Sequence, residues 1–398
     1  MQKINDKQFY DDPYEPHEDS YLLQKHIKEY AKGDVLDMCT GSGILGVEAA
    51  NFAEKVVAVD INQRALKLAK KNTKNYENII VKYSDLFSNI HSTFDLIICN
   101  PPYLPTDVRD MDLALDGGRH GYEFTIEFLK QADQFLKPDG KILLLFSSLT
   151  KKEKIDFAIT ELLLTFKQLD QEKFEFEELY VYLIEKSDIL KKLQKINVLT
   201  ISYLDKGKRG IVYQGYFNQK HVAIKIAIER AELLNVLEKE AKWLRLLEKY
   251  RFAPRLVLQG KDFLLLEFIQ GKKIYDYLED ASRENSLHVL KELLAIAHKL
   301  DELGINKEEM HHPLKHVLIQ SDLRVRLIDY ERSSYVENVK NVTQLCQFLT
   351  SPIMLKILEQ KNIVLQKEEV IELAKQYKKE NQKENKILLY KKIVALFR

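Results

Sequence analysis

The apolar positions of the first half fall into short runs separated by helical stretches. Asp34-Val35-Leu36-Asp37-Met38, Lys55-Val56-Val57-Ala58-Val59, residues 79–82, Phe94-Asp95-Leu96-Ile97-Ile98-Cys99 and residues 141–146 have the length and β content of buried strands. Helical periodicity occupies residues 62–74, 122–136 and 150–163. Residues 13–26 read as a loop entering a helix that Asp19 or Ser20 caps. Lys137-Pro138-Asp139-Gly140 is a turn signal, and residues 165–172 and 177–185 read as an antiparallel pair. This alternation predicts an open α/β sheet.

After Glu185 the pattern changes. Residues 186–197 read as a short charged helix or linker, with 188–197 taken as the boundary between domains, and β-rich sequence restarts at Leu199. A glycine-containing hairpin runs from Asp205 to Gly215, a strand follows at Val222-Ala223-Ile224-Lys225, and then a helix carries Glu240 beside an apolar side of Trp243, Leu244 and Leu247. Strands are expected again at 262–269 and before Asp329, and residues 350–398 read as helical. The second half is therefore α+β and a separate domain.

Composition narrows the setting. The 398 residues hold 61 basic and 60 acidic side chains, a net charge of +1, which gives no global pull towards nucleic acid or a membrane surface. Cys39, Cys99 and Cys346 are too scattered for a disulfide framework or a zinc site, which suits a reducing compartment. The polar, acidic start does not resemble a signal peptide, and no apolar run reaches membrane length, so a cytoplasmic location is expected.

Candidate chemistry concentrates after the fourth expected strand. The two prolines of Asn100-Pro101-Pro102-Tyr103 stop the strand and hold Asn100 just beyond its end, where open α/β sheets place ligands. The Asn side chain and the adjacent carbonyl can both accept from one planar NH2 group, and Tyr103 can cover its face. Upstream, Cys39-Thr40-Gly41-Ser42-Gly43 links the first strand to a helix, a turn that lets a ligand approach the backbone. Asp60 closes the next strand, where an acid can hold ribose hydroxyls, and Ser84-Asp85 lies within reach of an adenine amino group.

DMCTGSGILG, VAVD, SDLF and NPPY, in this order, resemble a class I S-adenosylmethionine-dependent methyltransferase with a Rossmann-like, seven-stranded fold. Within that superfamily, YEPHEDSYLL and LDGGRHG resemble the archaeal and eukaryotic branch of the HemK-type enzymes. These methylate the glutamine amide of the Gly-Gly-Gln tip of peptide-chain release factors. The resemblance covers roughly residues 9–187 and defines the expected domain 1–187. It implies that Asp37, Thr40, Gly41 and Gly43 line the methionine end of the cofactor. By the same resemblance Asp60 holds the ribose, Asp85 and Leu86 the adenine, and Asn100, Pro101 and Tyr103 the substrate amide. It also implies a small zinc-binding activator protein as a partner. Adenine-N6 DNA or RNA methyltransferases share NPPY and are the alternative, which the balanced charge disfavours.

From about 198 to 350, within an expected domain 198–398, the chain is similar to a small atypical protein kinase, nearer the RIO and archaeal lipopolysaccharide-kinase-like types. That resemblance implies a nucleotide loop at Gly207 and Gly210, a phosphate-handling pair in Lys225 and Glu240, and a magnesium ligand in Asp329, with ATP and Mg as cofactors. It departs from the pattern in the catalytic loop, Glu308-Glu309-Met310-His311-His312-Pro313-Leu314-Lys315-His316. Pro313 stands where the proton-accepting aspartate is expected and His316 where the asparagine is. Glu309 is then the candidate base and Lys315 a candidate γ-phosphate contact. A pseudokinase scaffold is the alternative for this half.

Overall fold

The computed structural model describes residues 8–10, 13–106, 110–112, 115–207, 209–227, 231–311 and 313–398. Lys208 and His312, both in stretches read above, lie outside them. The chain forms two compact units, Met1–Asn197 and Val198–Arg398.

The first unit is built on a seven-stranded sheet. Its strands are β1 (Asp34–Met38), β2 (Lys55–Asp60), β3 (Ile79–Tyr83), β4 (Phe94–Cys99), β5 (Leu136–Ser147), β6 (Leu164–Lys173) and β7 (Glu178–Lys186). They run in the order β3-β2-β1-β4-β5-β7-β6, parallel except that β7 is antiparallel to both of its neighbours. The near-continuous apolar character of β1, β2 and β4 follows from helices covering both faces. Helix α1 (Glu18–Tyr30) packs Leu22, Leu23 and Ile27 over Val35, Leu96, Ile98 and Leu143. The order reverses between β1 and β4, so the loops after these two strands diverge and leave a crevice at their carboxyl ends.

Two local expectations change and a third is decided. Asp19 and Ser20 do not cap α1; His17 holds the cap position without a side-chain bond, and Asp19 lies inside the first turn. Lys137–Gly140 is not a turn between helix and strand but bulges within β5, where Phe94 pairs with Leu136 and Leu96 already with Lys141. Of the two forms left open for residues 188–197, helix or linker, the helix is the one present. Helix α6 (Asp188–Lys195) is capped by Ser187, buries Leu190 and Leu193, and ties Lys191 to Asp139 at 2.9 Å.

The second unit opens with five antiparallel strands, β8 (Leu199–Lys206), β9 (Gly210–Phe217), β10 (Lys220–Ala227), β11 (Leu256–Gln259) and β12 (Phe263–Glu267), ordered β8-β9-β10-β12-β11. Helix α7 (Ala231–Leu247) packs against this sheet. A second, three-stranded sheet follows, from Lys272–Lys273, Val317–Ile319 and Val325–Leu327. It packs among helices that include α9 (Arg283–Glu302) and α10 (Asn341–Leu349). Val370, Tyr377 and Ile393 from the last two helices, and Phe397 just beyond them, enter the same core.

Candidate functional site

The crevice of the first unit holds a cavity of about 290 Å3. Thr40, Gly41, Asp60, Asp85, Leu86, Asn100, Pro101 and Tyr103 all line it. Gly41 has a φ of +53°, and a Cβ there would meet only the Tyr14 carbonyl at 3.9 Å, so the backbone lies open to the cavity. Asp60 accepts the Gly41 amide through one oxygen, at 2.9 Å, and the Asn62 amide through the other, at 2.8 Å.

Two of the expected residues stand behind the wall. Gly43 takes φ +86° at the cap of α2 (Ile44–Ala50), and its missing Cβ would lie 3.4 Å from Ala69. The left-handed backbone, not cavity contact, requires that glycine. Asp37 is fully buried under the loop and accepts the Thr40 hydroxyl at 2.5 Å. A Cβ on Gly46 would come within 2.9 Å of its carboxylate. Burial pushes Asp37 up to about 7, opposed by its bonds to Thr40 and the Gly46 amide. Its second oxygen is buried without a partner. Burial likewise raises Asp60 above the usual carboxylate range. Two desolvated carboxylates beside an open glycine turn fit a ligand that carries positive charge and hydroxyl groups, as S-adenosylmethionine does.

The opposite wall is the Asn100–Tyr103 loop. A second loop braces it: Leu104 donates to the Leu115 carbonyl at 2.8 Å, and Gly117 donates back to the Leu104 carbonyl at 2.8 Å. A Cβ on Gly117 would fall 2.7 Å from the Pro102 carbonyl and 2.8 Å from the Tyr103 Cα, so only glycine lets the loops touch. Asn100 donates its Nδ2 to Asp19 at 2.9 Å, while its Oδ1 is buried with no partner. Tyr103 is held neutral by burial and by the nearby charges of Asp19, Glu177 and Glu18.

Asp19, Ser20 and Tyr14 also line this cavity; from the sequence Asp19 stood with Glu15 and Glu18 as carboxylates close to the site, while Ser20 and Tyr14 were not singled out for it. The signal was present. Asp19, Leu23 and Ile27 share one helical face at four-residue spacing, which places a carboxylate on the buried side. Glu15 and Glu18 are exposed and lie outside the cavity lining.

In the second unit Gly207, Gly210, Lys225, Glu240, Glu309, Lys315, His316 and Asp329 all line one cavity of about 470 Å3, with Val212, Ala223, Leu266, Leu318 and Ile328 as apolar walls. The Lys225 ammonium sits 2.6 Å from Glu240, 3.0 Å from Asp329 and 3.1 Å from Glu331. Burial opposes its charge, but these three carboxylates outweigh it and raise its pKa. Glu240, Asp329 and Glu331 each offer an oxygen within 4.8 Å of the others, a spacing that suits a cation. Pro313 starts a tight turn with Leu314 and Lys315, while Glu309 reaches His316 at 3.0 Å and Arg332 at 2.5 Å. Glu309 and Asp329 both take left-handed backbone angles, φ +71° and +63°. Lys307, Glu331 and Arg332 also line this cavity, and nothing in their sequence spacing marked them.

The sheet order, glycine loop and acidic strand end define a class I methyltransferase in the first unit. The methyltransferase small-domain family model matches residues 16–176. A candidate protein N5-glutamine methyltransferase of Methanocaldococcus jannaschii is 43% identical over 151 residues, 36% of this chain and 77% of that protein. Through its first unit the chain belongs to the protein N5-glutamine methyltransferase family, whose methyl donor is S-adenosylmethionine.

Two bacterial relatives are more distant. A ribosomal protein uL3 glutamine methyltransferase of Neisseria meningitidis is 35% identical, covering 28% of this chain and 41% of the relative. A release factor glutamine methyltransferase of Mycoplasma mycoides is 30% identical, covering 32% and 53%. The chain thus spans about half or less of these two proteins. Among solved structures, the E. cuniculi Mtq2–Trm112 complex, described as responsible for methylating the eRF1 termination factor, is 26% identical with a TM-score of 0.37. It covers 45% of this chain and 100% of that one. WbdD bound to a kinase inhibitor is 14% identical with a TM-score of 0.46, covering 96% of this chain and 90% of that one.

Proposed function

We propose that the first unit methylates the side-chain amide of a glutamine in a protein, and that the protein is a peptide-chain release factor carrying a Gly-Gly-Gln tip. The observation that carries this is the orphaned Asn100 Oδ1, a buried acceptor beside the Pro101 carbonyl at the cavity wall. A buried acceptor without a partner is costly, and the NH2 of a primary amide supplies the missing donor. S-adenosylmethionine contributes the electrophilic methyl group. Asn100 and Pro101 hold the amide nitrogen, Tyr103 covers its face, and Asp60 and the Gly41 turn hold the other reactant. A nitrogen–carbon bond forms as the sulfur–methyl bond breaks, and one amide proton passes to solvent. Alignment of the two reactants supplies most of the rate.

Glu18, Asp19 and Glu177 together place negative charge around Tyr103. That field repels a phosphodiester backbone, so a protein acceptor is favoured over adenine in DNA or RNA. The names of the two bacterial relatives divide between release factor and uL3 as acceptor. Tritiated S-adenosylmethionine, offered in parallel with an archaeal-type release factor, uL3 and duplex DNA, separates the readings. Label is expected on the release factor alone; label on DNA alone overturns the proposal. A small zinc-binding activator is proposed as the partner, and adding one is expected to raise the rate.

For the second unit we propose a nucleoside triphosphate site with bound Mg2+. The triply paired Lys225 at the floor of an apolar-walled cavity supports this, since that ammonium is positioned for phosphate oxygens and the carboxylates for the metal. Two left-handed non-glycine residues facing one cavity are the kind of strain that functional sites retain. ATP with Mg2+ is expected to raise the melting temperature of the wild type and not of Lys225→Met. Release of phosphate in the same samples distinguishes an enzyme from a binding scaffold.

A further inference from the structure

An asparagine amide is nearly symmetric in shape and opposite in chemistry at its two ends. Turned one way, Asn100 offers the cavity an acceptor; turned by half a rotation, it offers an NH2 that would repel the NH2 of a glutamine. Its own packing does not choose between these. Asp19 does. Its Oδ2 accepts from Asn100 Nδ2 at 2.9 Å, and its Oδ1 accepts from the Ser20 backbone N–H at 2.6 Å. The Tyr14 hydroxyl also bonds to this carboxylate, and burial together with the Asp19 charge keeps Tyr14 protonated as a donor. Asp19 is only 3% exposed, so no water competes freely for its oxygens. An ionised carboxylate accepts hydrogen bonds and cannot donate them. The amide of Asn100 must therefore turn its nitrogen to Asp19 and its oxygen away, and that oxygen is the one left buried without a partner.

We propose that Asp19 is a positioning residue for methyl transfer: it fixes the orientation of Asn100 so that Oδ1 receives the acceptor amide. The proposal rests on the reading of the first unit given above. Asp19 does not touch the reacting atoms and does not take the amide proton, because its oxygens are already bonded to Ser20, Asn100 and Tyr14. Its reach comes from α1. The first turn of that helix, anchored by Leu22, Leu23 and Ile27 in the core, delivers a carboxylate to the loop after β4, 81 residues further along the chain. Residues of the N-terminal helix thus complete a site whose recognisable motif lies elsewhere.

The test uses the full chain with four variants: Asp19→Asn, Asp19→Ala, Asn100→Ala and the double variant Asp19→Asn/Asn100→Ala. Asp19→Asn preserves shape and loses the acceptor-only character. It is expected to lower kcat on the methyl acceptor about 10- to 100-fold, the scale of a misaligned reactant. The Kd for S-adenosylmethionine, by calorimetry, should stay within about threefold and the pH–rate profile should keep its shape. Because both residues act through one contact, the double variant should be no slower than Asn100→Ala alone. An unchanged kcat in Asp19→Asn, or a double variant slower by the product of both effects, overturns the proposal.

A second readout needs no turnover. The Asn100 side-chain NH2 signal in the 15N spectrum, identified by its loss in Asn100→Ala, should exchange slowly with solvent in the wild type and quickly in Asp19→Asn and Asp19→Ala. Equal exchange in wild type and Asp19→Asn refutes the orientation claim even if no glutamine is methylated. A wild type that methylates no glutamine while showing the protected signal refutes the functional reading and leaves the positioning role standing.

Discussion

Single atoms set the chemistry of the first unit. Gly117 is required where two loops meet, since any Cβ there strikes the Pro102 carbonyl and the Gly121 carbonyl, at 2.7 and 2.3 Å. Gly117→Ala should leave the unit folded and lower methyl transfer at least about tenfold, because the displaced Asn100–Tyr103 loop misaligns the acceptor. Circular dichroism and initial rates on one preparation check both halves of that statement. Asp37 carries a pH signature. Its folded pKa, pushed up to about 7 by burial, lies above the usual value near 3.8, so the folded state holds a proton that the unfolded chain releases. The stability this group contributes is full below about pH 4 and is lost as pH rises through about 7. Urea titrations at pH 5 and about pH 8 should therefore show the wild type losing stability relative to Asp37→Asn as pH rises. Parallel curves for the two proteins would contradict the shift.

At the scale of elements, apolar runs were a good guide and turn signals a mixed one. The runs at Leu36, Val57 and Ile97 are central strands because both faces are covered, and such strands need no alternation to be recognised. Lys137-Pro138-Asp139-Gly140 has the composition of a turn, yet the strand continues through it. The extra residues are absorbed as a bulge opposite Phe94–Leu96, and composition does not distinguish a bulge from a turn. For residues 188–197 the sequence left helix and linker both open. Their lysines are conspicuous, while only two side chains of the helix, Leu190 and Leu193, are buried, with Lys191 tied to Asp139 beside them. Leu193 is fully buried, so Leu193→Ala should cost the first unit about 2–4 kcal/mol, read as a shift in its denaturation midpoint. A cost under about 0.5 kcal/mol, the range of surface substitutions, would mean that α6 is peripheral.

Over the whole molecule, cavity-lining residues that follow strands in a known order were legible, and those delivered from distant elements were less so. Thr40, Gly41, Asp60, Asp85 and Asn100 each follow or end a strand and meet at one crevice. Asp19 joins them from the opening helix, and Lys307 and Arg332 join the second cavity from loops whose spacing carries no pattern. Each unit has its own core and its own cavity, which predicts separable chemistry. Asn100→Ala should lower methyl transfer at least about 100-fold and leave the ATP-dependent thermal shift unchanged. Lys225→Met should do the reverse. Loss of both activities in either variant would mean that the two sites are coupled.

The central claim is that the Asn100–Tyr103 loop presents a glutamine amide for methylation. Its most direct test is tandem mass spectrometry of an archaeal-type release factor after reaction with the full chain and S-adenosylmethionine. The account predicts one added methyl on the side-chain nitrogen of the Gly-Gly-Gln glutamine, strongly diminished with Asn100→Ala and absent when that glutamine is replaced. A methyl group on another residue type, or undiminished modification by Asn100→Ala, would contradict it.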